Sequence, residues 1–225
     1  MQARIASLID AIARDRASGA AELALRAAEA LALAAPEELP EAAAAVVRAQ
    51  PAMAALYNAA RAALAGELEA FTTRLRASPE AIARRAEAVV RGRTVLTHSY
   101  SSTVVRALQQ GHPARVICTE SQPGGEGRET AGRLGAEVIP DMAAYRALER
   151  VDAVVVGADA VTPECVVNKI GTAMVALAAR ERRVPVYVLC GSEKYVPAEW
   201  QPELGGLFER APRGLFASVI DDDDA

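Results

Sequence analysis

The stretch Val154–Thr172, VVVGADAVTPECVVNKIGT, decides how this chain is read. Three valines lead into Gly157-Ala158-Asp159, the pattern of a buried strand that ends in a carboxylate. A turn follows, and Asn168-Lys169-Ile170-Gly171-Thr172 is expected to open a helix. In open α/β sheets, ligands bind beyond the carboxyl ends of the strands. Helix N-termini hold phosphate through free N–H groups and the helix dipole. The stretch therefore predicts a pocket for an anionic metabolite.

The same pattern continues outward from this point. From Thr94 onward, short Val- and Ile-rich runs alternate with helical stretches. The expected strands are 95–98, 116–119, 137–139, 153–156, 186–190 and 216–220. Alternation of this kind predicts a mainly parallel, doubly wound sheet. Residues 1–92 carry helical signals only. Ile5, Leu8, Ile9 and Ile12 follow the i, i+3, i+4, i+7 spacing of one helix face. A second helix is expected from Gly19 to Ala34. Ser78-Pro79-Glu80 has the form of a cap, a first-turn proline and a dipole-matched acid, so a helix is expected to start there. The fold class is α/β: an N-terminal helical domain over 1–92, then a Rossmann-like domain over 93–225. The acidic run Asp221–Asp224 is expected to be a solvated terminus.

Composition narrows the function. The chain has 225 residues and a formal net charge of −4, with 52% hydrophobic and only 4% aromatic residues. Scattered Lys and Arg and few aromatics argue against a nucleic-acid platform. Two histidines and three cysteines without CxxC spacing build no zinc pattern, and they fit a reducing, cytoplasmic setting. No run approaches a membrane span. The loop after residue 119 is not G-x-G-x-x-G, so no dinucleotide cofactor is indicated. No metal or other cofactor is expected.

Four motifs carry candidate chemistry. Thr97-His98-Ser99-Tyr100-Ser101-Ser102 sets hydroxyls and amides where a strand gives way to a helix. A polar cap explains it as well as a phosphate site does. A Ser–His–Asp triad is not expected, since there is no G-x-S-x-G elbow and adjacent His98 and Ser99 point apart on a strand. Thr119-Glu120-Ser121-Gln122-Pro123-Gly124-Gly125-Glu126-Gly127-Arg128 is a glycine-rich loop whose arginine could grip phosphate. The opening stretch supplies Asp159 as an acid/base candidate and Lys169 as a phosphate partner, with Cys165 between them. Asp15-Arg16-Ala17-Ser18-Gly19 lies between two helices and could add Arg16 and the amide region of Gly19.

Taken in order, T-H-S-Y-S-S, T-E-S-Q-P, V-V-G-A-D, N-K-I-G-T and Ser192-Glu193-Lys194-Tyr195 resemble one superfamily. It holds the alpha, beta and delta subunits of translation initiation factor 2B. Methylthioribose-1-phosphate isomerase and ribose-1,5-bisphosphate isomerase belong to the same group. The resemblance is good over residues 94–220 and looser before. It implies a helical domain on a Rossmann-like domain, a homodimer or larger homo-oligomer, and aldose–ketose isomerisation without metal or nucleotide cofactor. It places the isomerases' aspartate at Asp159 and their cysteine at Ser99, so the thiol is absent; Cys165 is the substitute to test. The implied phosphosugar contacts are Arg16, Gly19, Ser101, Ser102, Glu120, Gln122, Arg128, Asn168, Lys169 and Lys194. The alternative is a non-catalytic regulatory subunit whose pocket senses a phosphosugar or nucleotide.

Overall fold

A computed structural model describes residues 1–15 and 18–223. Five helices come first: α1 (Ala3–Arg14), α2 (Ala20–Ala32), α3 (Leu39–Ala49), α4 (Ala54–Leu64) and α5 (Leu68–Val90). Their apolar stripes meet in one core that includes Ile5, Ile12, Leu23, Leu31, Val46 and Leu56. Much of the rest of that core is alanine. Small side chains let helix backbones approach closely, which is how an Ala-rich sequence fills its interior.

α5 corrects the expectation at Ser78. The helix does not begin there; it runs through Pro79 without a break. Its buried face is Phe71, Leu75, Ser78, Ile82, Ala86 and Val90, a stripe at helical spacing across the proline. Burial of that continuous stripe outweighs the one hydrogen bond that proline removes. The first half of α5 packs in the helical core. The second half packs on the sheet, against Val95, Val104 and Leu108.

The sheet is built from β1 (Thr94–Thr97), β2 (Arg115–Thr119), β3 (Glu137–Ile139), β4 (Ala153–Val156), β7 (Val186–Leu189) and β9 (Ser218–Ile220). The spatial order is β3-β2-β1-β4-β7-β9, and every pairing is parallel. Helices α6 (Ser102–Gln110), α7 (Glu126–Leu134), α8 (Ala144–Ala147) and α9 (Thr172–Glu181) connect the strands and cover the sheet. All four residues of β4 are buried, as a central strand covered on both faces requires. The chain leaves β1 toward one edge and β4 toward the other. The β1/β4 junction is thus the point where the strand order reverses.

A second, antiparallel sheet is absent from the sequence expectation. It consists of β5 (Ala160–Val161), β6 (Cys165–Lys169) and β8 (Phe208–Pro212), in that order. Asn168 and Lys169 therefore end a strand instead of opening a helix, and α9 starts at Thr172. Val166 and Val167 favour the extended form. Their partner β8 lies some forty residues on, with Val167 opposite Arg210, so no local pattern announces it. The acidic terminus also departs from the expectation. Asp221 pairs with Arg85 and accepts from the Tyr195 hydroxyl at 2.7 Å, and Asp222 accepts from the Ser192 amide at 2.5 Å.

Candidate functional site

A cavity of about 370 Å³ opens over the strand-order reversal. The loop after β1 gives it Ser99–Ser102, and the loop after β4 gives it Ala158 and Asp159. β6 adds Asn168 and Lys169, the turn after β7 adds Lys194, and the helical layer adds Asp15, Ser18 and Gly19. Gly157 allows the two central loops to touch, since a Cβ there would lie 2.8 Å from the Ser101 side chain.

Asp159 is anchored by its backbone. Its amide donates to Val167 at 2.8 Å, and its carbonyl accepts from Ala54 at 2.9 Å. No described residue hydrogen-bonds its carboxylate, which faces the cavity. Burial pushes this carboxyl up to about 6, against the opposing pull of the Lys194 and Lys169 charges. A carboxyl in that range can take up and release a proton near neutral pH.

Lys194 is only 4% exposed; among the described residues no close ion pair holds its ammonium, whose charge acts on the Asp159 and Glu193 carboxylates. A recessed cation that lines a cavity and keeps its hydrogen bonds unmade suits an anionic occupant. Lys169 is as buried but is satisfied. Its Nζ donates to Glu126 Oε1 and to the Pro123 carbonyl, each at 2.5 Å. Glu126 also lines the cavity, and its Oε2 is buried with no hydrogen-bond partner.

Of the two helix starts near the sheet's carboxyl end, that of α6 lines the cavity and that of α9 does not. Ser101 caps α6 by accepting from the Val104 amide at 3.4 Å, and the α6 N-terminus faces the cavity through Ser101 and Ser102. At α9 the expected phosphate-binding amides are already taken. Glu209 of β8 accepts from Gly171 N and Ala173 N, both at 2.8 Å. This corrects the reading of the Gly171-Thr172 corner as an open anion site.

Behind Ser99 lies a polar network. Ser99 has a left-handed backbone, with φ of 68°. Its amide donates to Ser121 Oγ at 2.7 Å and its carbonyl accepts from Thr130 at 2.8 Å. His98, 3% exposed, lies 2.7 Å from Thr119 Oγ1 through Nδ1 and 2.9 Å from the Ile170 carbonyl through Nε2. The carbonyl can only accept, so Nε2 carries the proton and Nδ1 accepts from the threonine. Burial lowers the pKa of His98 and keeps it neutral.

Several expected site residues are not brought in. Arg128 donates to Glu120 at 2.6 Å on the surface, and neither lines the cavity. The Gln122 amide is held by Asp141, and its side chain is not part of the lining. Cys165 stands at the far end of β6 from Lys169, with its thiol 3.4 Å from Thr162 Oγ1, and is also outside the lining. The fold does not bring this thiol to Asp159. Arg16 lies outside the described residues. Other lining residues were missed: Glu126, Tyr100, the Ala49–Met53 turn and the Glu203–Phe208 loop. The paired Gly205-Gly206 was the only local signal for that last loop.

Known proteins share this architecture. The model of the initiation factor 2 subunit family matches residues 2–204. A ribose 1,5-bisphosphate isomerase of Methanocaldococcus jannaschii is 40% identical over 131 residues, 54% of this chain and 42% of that protein. The match thus spans less than half the length of that isomerase. A putative translation initiation factor eIF-2B subunit 2-like protein of Pyrococcus horikoshii is 32% identical over 222 residues, 86% of this chain and 80% of that protein. The crystal structure of the P. horikoshii translation initiation factor eIF-2B superposes with a TM-score of 0.86 and 27% identity, covering 99% of this chain and 96% of that one. The chain belongs to the initiation factor 2 subunit family.

Proposed function

We propose that this protein binds a ribose phosphate and interconverts its aldose and ketose forms, with Asp159 as the proton-transfer group. The observation that carries this reading is the presence of Asp159, its carboxyl near 6, and the recessed Lys194 ammonium in one cavity. Lys194 and the α6 N-terminus hold the phosphate. Ser99, Asn168 and the amide region of Gly19 contact the sugar. Aldose–ketose exchange moves a hydrogen from C2 to C1 and requires proton transfer at the sugar oxygens. With serine in place of a thiol at position 99, the ionised Asp159 accepts the C2-hydroxyl proton as the C2 hydrogen moves to C1, the ring bond C1–O4 breaks, and O4 takes up the proton that Asp159 returns; a serine hydroxyl is too weak an acid or base to do so unaided. The names of the relatives support a phosphosugar substrate.

The test is proton and phosphorus NMR of the protein with ribose 1-phosphate, ribose 1,5-bisphosphate and methylthioribose 1-phosphate, beside Asp159→Asn. Conversion to a ketose that disappears in the variant supports the reading. Line broadening without conversion supports the sensor reading, which the serine at 99 favours. Silence with all three sugars overturns both.

We also propose a homodimer. Met142 and Tyr145 near α8, and Met174 and Leu177 on α9, are exposed apolar residues on two helices packed together. Patches of this kind mark association surfaces. Among the described residues no helix is long and apolar enough to cross a membrane.

A further inference from the structure

We infer that Asn58 is a positioning residue for the cavity, and that helix α4 of the helical layer sets the spacing between Asp159 and Lys194. What this does to sugar binding rests on the phosphosugar reading above; what it does to Asp159 does not.

α4 reaches the site at two points one turn apart. Its first residue, Ala54, donates its amide to the Asp159 carbonyl at 2.9 Å. Four residues on, Asn58 Nδ2 donates to the Glu193 carbonyl at 2.8 Å and to the Tyr195 carbonyl at 3.0 Å. Positions i and i+4 share one helix face, so one face of α4 holds the backbone of the acid and the backbone around the cation. The two carbonyls flank Lys194, and they use both N–H groups of the Asn58 amide. No close ion pair fixes the Lys194 ammonium among the described residues, so the backbone of its turn decides where that charge stands. Asp222 ties down the start of the turn at Ser192, whereas Asn58 brackets the lysine itself. The Val196 amide also donates to the Val161 carbonyl at 3.0 Å, which links the strand following Asp159 to the same turn.

The charges on Asp159 and Lys194 make this arrangement measurable. Burial raises the Asp159 carboxyl, and Lys194 is the larger of two pulls against it, the other being Lys169 of β6. The Glu193 carboxyl, buried in the turn, also feels the Lys194 charge. Releasing the turn from α4 lets Lys194 move away and weakens its hold on the Asp159 carboxylate.

Carbon NMR of the ligand-free full chain, labelled at aspartate, follows this directly; the Asp159 signal is the one lost in Asp159→Asn. In Asn58→Ala the Asp159 midpoint should rise from about 6 by about half a pH unit or more. Ala60→Gly weakens the same helix inside the helical core without touching the turn, and it should leave the midpoint in place. Calorimetric affinity for ribose 1-phosphate should fall about fivefold or more in Asn58→Ala and less than about twofold in Ala60→Gly. An unmoved midpoint in Asn58→Ala overturns the inference, and so does an equal rise in Ala60→Gly. Absence of ribose phosphate binding to the wild type overturns the phosphosugar reading, while the midpoint still decides the role of Asn58. Asn58→Ser, which cannot bridge both carbonyls, supplies the same comparison where Asn58→Ala does not fold.

Discussion

At Asp159 the energetic cost and the proposed chemistry come from the same feature. Its carboxyl is raised from 3.8 to about 6 by burial, so the folded state holds its proton to higher pH than the unfolded chain. Stability is therefore unpenalised below about 3.8, falls as pH rises from there to about 6, and stays lowered above it. Two pKa units correspond to ~3 kcal/mol, and contact with water in the cavity reduces this to ~1–2 kcal/mol. Asp159→Asn should then raise the Tm by ~3–6 °C at pH 8 and by much less at pH 4, while abolishing turnover; calorimetry at the two pH values checks it. The wild-type kcat should fall as pH drops through about 6, because the acceptor must be ionised. Lys194→Gln removes the largest pull holding that carboxyl down, so the same limb should move to higher pH. An unmoved limb in Lys194→Gln, measured at saturating sugar, would separate Asp159 from the rate. Arg128 and Lys194 give a further contrast. Arg128→Ala breaks an exposed pair with Glu120 and should change phosphosugar affinity by less than about twofold. Lys194→Gln should weaken it by about tenfold or more. Both residues were legible as basic groups at loop mouths. Only the fold distinguishes the one ion-paired on the surface from the one that lines the cavity.

Among the elements, the parallel strands were legible because each is a short run of Val and Ile bounded by turn residues. β6 was not, although it carries two valines, because its pairing with β8 is set by residues far along the chain. The consequence is chemical as well as topological. β8 carries Glu209, and only with β8 in place is the N-terminus of α9 closed to phosphate. At this corner Gly171 has φ of +101°, and a Cβ there would stand 2.9 Å from the His98 ring. Gly171→Ala therefore combines backbone strain with a clash and should cost ~2–3 kcal/mol, read as a lower urea midpoint. Since His98 links this corner to the loop that holds Ser99, sugar affinity should fall in the same variant. A pure stability loss, with affinity unchanged in the folded fraction, would show that the network does not position Ser99. The turn after β7 has a similar dependence. Ser192 accepts no freedom from its neighbours: Asp222 binds both its amide and its hydroxyl. Asp222→Ala should loosen the short helical turn Ser192–Lys194 and weaken phosphate binding several-fold through Lys194, which it does not touch. The acidic run was legible as charge, but its attachment to Ser192 was not, since a run of like charges has no signature for the partner it meets.

For the molecule as a whole, the change from helical to alternating pattern near residue 93 is visible in the sequence, and a domain boundary there remains our proposal. α5 joins the two cores, one half in each. The cavity also draws on both: Ser18, Gly19 and Met53 come from the helical layer, and Asp159, Lys169 and Lys194 from the sheet and its hairpin. No single segment could have announced it, because its parts lie from Asp15 to Phe208 along the chain. The α8–α9 surface adds a level beyond the single chain. Ala144, Ala147, Val175 and Ala176 bury the inner faces of these helices, so the outward Met142, Tyr145, Met174 and Leu177 are not needed to hold the monomer together. Tyr145 stacks under the Arg182 guanidinium at 4.1 Å, which leaves its ring edge and the methionines as the apolar part of the face. Met174→Glu places a charge on the outer surface of α9's first turn, where Met174 is 45% exposed in the monomer. It should leave the Tm of the separated chain within ~1–2 °C, as surface substitutions do, while abolishing self-association, because an unpaired carboxylate in an apolar interface is strongly disfavoured. Sedimentation velocity would then show a dimer for the wild type and a monomer of 23.6 kDa for the variant. A dimer in both would move the interface to another face, and a monomer in both would end the homodimer proposal.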